Sequence, residues 1–206
     1  VGRLRLALAS CSNYPHGYFN AYARIAERTD VDVVLHLGDY IYDYHQGRYF
    51  DPDLATDRAV DPPTETIALD DYRRRYALYR TDTDLQAVHQ QHPFICVWDD
   101  HEIANNAWKG GAENHQPDEG DYLMRRDAAY QAYLEWLPVR ETGSARQPLI
   151  YRSFAIGDLA DLVMLDTRLA GRDEQVDRED VLAVEDPRRS LLGQGQEGCK
   201  RQQGKQ

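Results

Sequence analysis

Side chains able to do chemistry gather at three places in this chain, each directly after a short apolar run. Residues 36–44 read HLGDYIYDY and follow Val33-Val34-Leu35; residues 94–102 read FICVWDDHE; and near the start LALASCSN carries Cys11 at its polar end. Carboxylates, a phenol, a thiol and an imidazole delivered to one edge are the donor set of a metal centre. Asp39 is the first candidate ligand, although an Asp after Gly38 is also an ordinary turn residue. Tyr42 tips the balance. Three residues on, it returns its phenol to the side of Asp39, and ferric iron accepts phenolate oxygen. Tyr40 and Tyr44 read as packing.

Cys11 stands beside Ser10, Ser12 and Asn13. A lone cysteine is ordinarily a small buried hydrophobe, and Cys96, between Ile95 and Val97, keeps that reading. Cys11 falls instead at a polar strand end, where a thiolate can ligate a metal. Asp99-Asp100-His101-Glu102 is the densest polar cluster, and four such groups cannot all enter a core without a heavy desolvation cost. A solvated turn is one reading. The better supported one uses a carboxylate for metal and the His101 imidazole for acid–base work or phosphate contact. Asn105 and Asn106 read either as loop formers or as amide-oxygen ligands for a hard cation.

The elements that must position these groups follow from periodicity. Leu4, Leu6 and Leu8 alternate with Arg5, Ala7 and Ala9, a strand period. Tyr18, Phe19, Tyr22, Ile25 and Ala26 recur at helical spacing, and residues 32–37 form a second strand. Strand, helix, strand in so short a span is a βαβ unit, which needs a parallel pair. Gly38-Asp39 then lies at a carboxyl strand end, the edge where ligands bind in open α/β sheets. Residues 45–66 read as a long loop, 72–85 as one helix and 84–91 as the start of another. Residues 94–98 form a third strand, 103–117 a loop, and 118–137 a helix with an apolar face of Tyr122, Leu123, Tyr130, Tyr133, Leu134 and Leu137. Residues 150–156 and 159–165 form a hairpin turning at Gly157-Asp158. The tail over 194–206 is rich in Gly and Gln, too poor in apolar residues to fold alone.

Bulk composition narrows the function. The 206 residues allow one sizeable core. A net charge of −11 opposes binding of a nucleic-acid duplex. No apolar run is long enough to span a membrane, and VGRLRLALAS carries no intact secretion signal. Three widely spaced cysteines without CxxC argue against a disulfide framework or structural zinc.

Together ASCSNYPHGYFNAY, HLGDYIYDY, WDDHEIANN, YQAYLEWLPVR and LVMLDTR resemble the PhoD-like alkaline phosphatase family of metallophosphoesterases. The resemblance covers most of residues 6–193, and the ordered set is far more specific than Gly-Asp alone. It implies an α/β fold, an αββα metallophosphatase-like sandwich, of which residues 1–193 form an incomplete, N-terminal half. It implies iron (Fe3+) and calcium (Ca2+), with Cys11, Asp39 and Tyr42 matching iron ligands and Asp39 bridging to the second metal. Asp100 takes the place of the superfamily's Asn in Gly-Asn-His, His101 matches the His that follows, and Asn106 matches an asparagine implicated in calcium binding. The expected reaction is metal-activated hydroxide attack on a phosphate ester, as phosphomonoesterase, phosphodiesterase or both, with twin-arginine secretion to a periplasmic or extracellular home. No histidine follows His115, so the family's later ligands have no counterpart here. The alternative is therefore a truncated, non-catalytic metal-binding or scaffold module.

Overall fold

In the computed structural model, the structure describes residues 2–49, 57–140 and 149–175. The expectation for a disordered tail over 194–206, like the end of the 1–193 domain, lies outside those residues.

Three strands form a parallel sheet in the order β1 (Leu6–Ala9), β2 (Val33–His36), β3 (Phe94–Cys96). Leu8 pairs with Leu35, and Leu35 with Ile95, so the carboxyl ends of all three strands fall at one edge. All four residues of the central β2 are buried, as its unbroken apolar run requires of a strand covered on both faces. In β1 the sequence pattern sets which residues share a face but not which face turns inward. Ala7 and Ala9 pack on the core, while Leu6 and Leu8 are exposed.

Helix α1 (Asn20–Ala26) crosses between β1 and β2 and packs against α3 (Thr83–Gln91). The two helices expected over 72–85 and 84–91 are both present, but the first begins and ends earlier than expected. Helix α2 spans Leu69–Tyr79, the chain turns, and the Asp82 carboxylate caps α3 by accepting from the backbone N–H groups of Asp84 and Leu85, each at 3.0 Å. Leu85 and Val88 are buried on α3 as Tyr76 and Tyr79 are on α2, which blurs the boundary between the two helices. Helix α4 (Tyr122–Trp136) packs on α2 and carries the expected buried Tyr122, Tyr130 and Tyr133, with Leu137 buried just beyond it. Leu123 is exposed, however, and Arg125 is buried. The polar cluster that receives Arg125 outweighs the apolar pattern. Strands β4 (Arg152–Ile156) and β5 (Ala160–Met164) form the expected antiparallel hairpin.

The core is dominated by aromatics: Trp98, Tyr72, Tyr76, Tyr79 and Tyr133 are essentially inaccessible. Helix α2 also buries Arg75, whose guanidinium donates to the carbonyls of Asp61 (3.1 Å), Pro62 (2.9 Å), Thr64 (3.1 Å) and Tyr44 (3.0 Å), and to that of Tyr42. One cation thus satisfies five loop carbonyls and fixes the backbone that carries Tyr42. No helix among the described residues is long and apolar enough to cross a membrane. The α/β expectation holds.

Candidate metal centre

Backbone pairing beyond the strands pulls their ends together. Leu37 N–H donates to the Ala9 carbonyl (2.9 Å), Cys11 N–H to Gly38 (3.1 Å), Ser12 N–H to Asp39 (3.1 Å) and Val97 N–H to His36 (2.9 Å). Gly38, at φ +104°, lets β2 turn against β3; a Cβ there would overlap the backbone nitrogen of Asp99. Next to it Asp39 has φ +54°, Cys11 has φ +58° and Asn106 has φ +53°. Positive φ is uncommon outside glycine, and such strained residues concentrate at functional sites. Three of the four non-glycine cases among the described residues are residues the sequence marks as ligands.

The side chains meet. One ligand atom each from Asp39, Asp100 and His101 lie within 4.8 Å of one another. The Tyr42 hydroxyl donates to Asp39 Oδ2 at 3.4 Å, and the Cys11 thiol is near enough for it and the Asp39 carboxyl to influence each other's ionisation. Cys11, Asp39, Tyr42, Asp100 and His101 therefore share one edge. Asn106 joins through its backbone: its N–H donates to Asp100 Oδ2 at 2.6 Å, while its side-chain amide donates to Glu113.

The electrostatics suit a cation. Asp39 Oδ1 is buried and accepts no hydrogen bond, an arrangement costly for a carboxylate unless something positive meets it. Burial, then repulsion from Asp100 and Asp99, raises the Asp39 carboxyl above its usual range, with His101 opposing. Burial raises the Tyr42 phenol, and Asp39 adds to the effect. Partial burial raises the Cys11 thiol, opposed by Ser10 and reinforced by Asp39. Burial first, and neighbouring negative charge second, weighs against the anionic form of each of these acids. A bound cation inverts that logic and turns carboxyl, phenol and thiol into anionic ligands. The donors present thus fit a metal.

Three further participants are Asp43 and Arg168, which the sequence reading did not single out, and Glu102, which it named only as part of the polar cluster. Asp43, fully buried, accepts from His101 Nδ1 at 2.7 Å. That bond, with attraction from Asp43 and Asp100, outweighs burial and raises the imidazole. The ring is also held by stacking on Tyr42, with centroids 4.3 Å apart. Glu102 reaches across the strand ends, accepting from Tyr40 N–H (2.6 Å) and Asp99 N–H (2.9 Å); burial, then Asp39, pushes its carboxyl up to about 8. Arg168, beyond β5, donates to Asp99 Oδ1 at 2.5 Å and pairs with Asp100 Oδ1 at 3.1 Å. The quoted sequence blocks contained all three residues. What sequence could not give was their partners, 58 to 69 residues away.

Parallel strand ends that gather acidic, phenolic, thiol and imidazole donors define an α/β protein with a candidate metal centre at one sheet edge. The model of the PhoD-like phosphatase family matches residues 6–202, and the chain belongs to that family. It is 40% identical over 205 residues to alkaline phosphatase D of Bacillus subtilis (strain 168), covering 96% of this chain and 34% of that protein. A solved structure described as the structure of PhoD matches with a TM-score of 0.77 at 38% identity, covering 86% of this chain and 33% of the other. The chain thus spans about a third of the length of these relatives.

Proposed function

We propose that this chain carries the first part of the active site of a metal-dependent phosphoric ester hydrolase acting as an alkaline phosphatase, on monoesters, diesters or both. The observation that carries the reading is the orphaned Asp39 Oδ1 within the Asp39–Asp100–His101 cluster, in a chain of this family. Cys11, Asp39 and Tyr42 would hold ferric iron; Asp39, Asp100 and Asn106 would serve calcium. When bound, such cations neutralise phosphoryl oxygens and supply a nucleophile at alkaline pH.

The chain's own groups do the rest. Asp43 occupies Nδ1 of His101, which leaves Nε2 to meet a phosphoryl or leaving-group oxygen. The Tyr42 ring and the buried Asp43 keep that imidazole from rotating. Glu102 ties the Asp39 and Asp99 turns together and so fixes the spacing of the carboxylates. A periplasmic or secreted setting belongs to the same proposal, as does a phosphate ester substrate.

The test loads iron and calcium into the chain and into a form extended to the relatives' full length, then measures phosphomonoester and phosphodiester turnover. Metal-dependent turnover in the extended form, lost in Asp39→Asn and far weaker in the 206-residue chain, is expected. Metal-independent turnover, or none in the extended form, contradicts the proposal.

A further inference from the structure

The carboxylate that holds His101 is itself held by a buried cluster drawn from three other segments. Asp43 is fully buried, and its Oδ1 is taken by the imidazole. Its Oδ2 accepts from the Asn114 side-chain amide at 2.6 Å and the Asn105 backbone N–H at 3.2 Å, with Arg125 Nη2 at 3.7 Å. Asn114 spends its second amide hydrogen on Glu65 Oε1 at 2.7 Å. Lying between two carboxylates, that amide nitrogen can only donate, so the orientation of the Asn114 side chain is fixed by chemistry. Arg125, whose side chain is 1% exposed, closes the cluster. It donates to Glu65 Oε1 (2.8 Å), to the Asn114 carbonyl (2.6 Å) and to the Tyr72 hydroxyl (3.1 Å), and the Tyr72 hydroxyl in turn donates to the Ile103 carbonyl (2.6 Å). Glu119 lies 3.4 Å from the same guanidinium.

A carboxylate with one oxygen saturated by converging donors cannot turn in its plane. Its other oxygen then has one direction left to accept from, and His101 Nδ1 lies along it at 2.7 Å. We propose that Asn114 and Arg125 are positioning residues: they clamp Asp43 so that His101 keeps its proton on Nδ1 and presents Nε2 to the phosphate ester. This rests on the reading of His101 as the group that meets substrate. Arg125 enters from helix α4 and Asn114 from the loop before it, so the imidazole that serves the strand-end site is aligned by an element outside the sheet. A purely structural cluster would stabilise α4 without setting the state of the imidazole, and the two roles are separable by spectroscopy.

The test uses the full 206-residue chain, metal-free, with 15N-labelled histidine and His101→Gln to assign the resonance. Under alkaline conditions, where the ring is neutral, the 15N shifts report which nitrogen carries the proton, and solvent exchange reports how well it is held. The wild type is expected to show the Nδ1–H form with a slowly exchanging proton. In Asn114→Ala the ring moves toward a mixture of both tautomers and exchange accelerates about tenfold or more, the loss expected of one charge-assisted hydrogen bond. Arg125→Lys, which keeps the charge but not the fork, moves the signal the same way and less far. Wild-type shifts and exchange in Asn114→Ala overturn the proposal. Asn114 is only partly buried, so this variant decides the question even where Arg125→Lys fails to fold. Turnover does not enter the readout, so loss of the hydrolase reading and loss of this one are distinct results.

Discussion

At the scale of single residues, the donors were legible and their supports were not. Cys11, Asp39, Tyr42, Asp100 and His101 stand out because polar groups directly after buried strands need a reason to be there, and the structure gathers them. Asp43 stood in the same run, but its role depends on a partner at His101, and no local pattern encodes that pairing. It yields a prediction. In the metal-loaded, extended enzyme Asp43→Asn removes the acceptor that orients His101 and lowers kcat by about 100-fold or more. Bound metal is unchanged, because the Asp43 carboxylate meets His101, Asn105 and Asn114 and none of the groups proposed to hold metal, Cys11, Asp39, Tyr42, Asp100 and Asn106. Parallel measurement of kcat and metal content checks this, and a variant that loses its metal in step with its activity contradicts it.

At the scale of elements, the buried strands, the crossover helix and the hairpin could be read because each has one dominant period. The break between α2 and α3 falls earlier than the sequence reading puts it, because apolar residues on both sides of it, Tyr76, Tyr79 and Leu85, are buried and blur where one helix ends. The Thr81-Asp82-Thr83-Asp84 run was the available signal, since Asp before a helical start is a cap. Arg125 defeated the amphipathic pattern of α4 for a similar reason: its partners, Glu65 and Asp43, lie far back in the chain. The most sensitive joint is Gly38, where β2 turns against β3. Gly38→Ala adds a Cβ into Asp99 at a positive φ and is expected to destabilise the chain by about 2–4 kcal/mol. Chemical denaturation measures this directly; an unchanged midpoint would mean that the two strand ends are free to part.

At the scale of the whole molecule, His36 and His89 make the fold lose stability in acid. His36 is fully buried, among the described residues hydrogen-bonds only the Tyr22 hydroxyl at 2.9 Å, and burial lowers it to about 3. The unfolded chain titrates near about 6.5. Between those values the unfolded state binds the additional proton, so stability is intact above about 6.5 and falls as acid is added through the window. The loss from His36 is on the order of 2 kcal/mol by about pH 5. His89, lowered to about 3 by burial and then by Arg80, acts with the same sign. Denaturant midpoints across this range should fall less steeply in His36→Gln than in the wild type. Equal slopes would show that His36 is protonated without cost.

In the proposed metal centre Tyr42, and no other phenol, would meet iron. Tyr42 faces Asp39, whereas Tyr40 points into the core and hydrogen-bonds His89 at 2.9 Å. The most direct test is the visible spectrum of the ferric-loaded 206-residue chain beside its Tyr42→Phe and Tyr40→Phe variants. A tyrosinate-to-iron charge-transfer band in the wild type and in Tyr40→Phe, absent from Tyr42→Phe, is the predicted result. The same band in all three proteins, or in none, contradicts it.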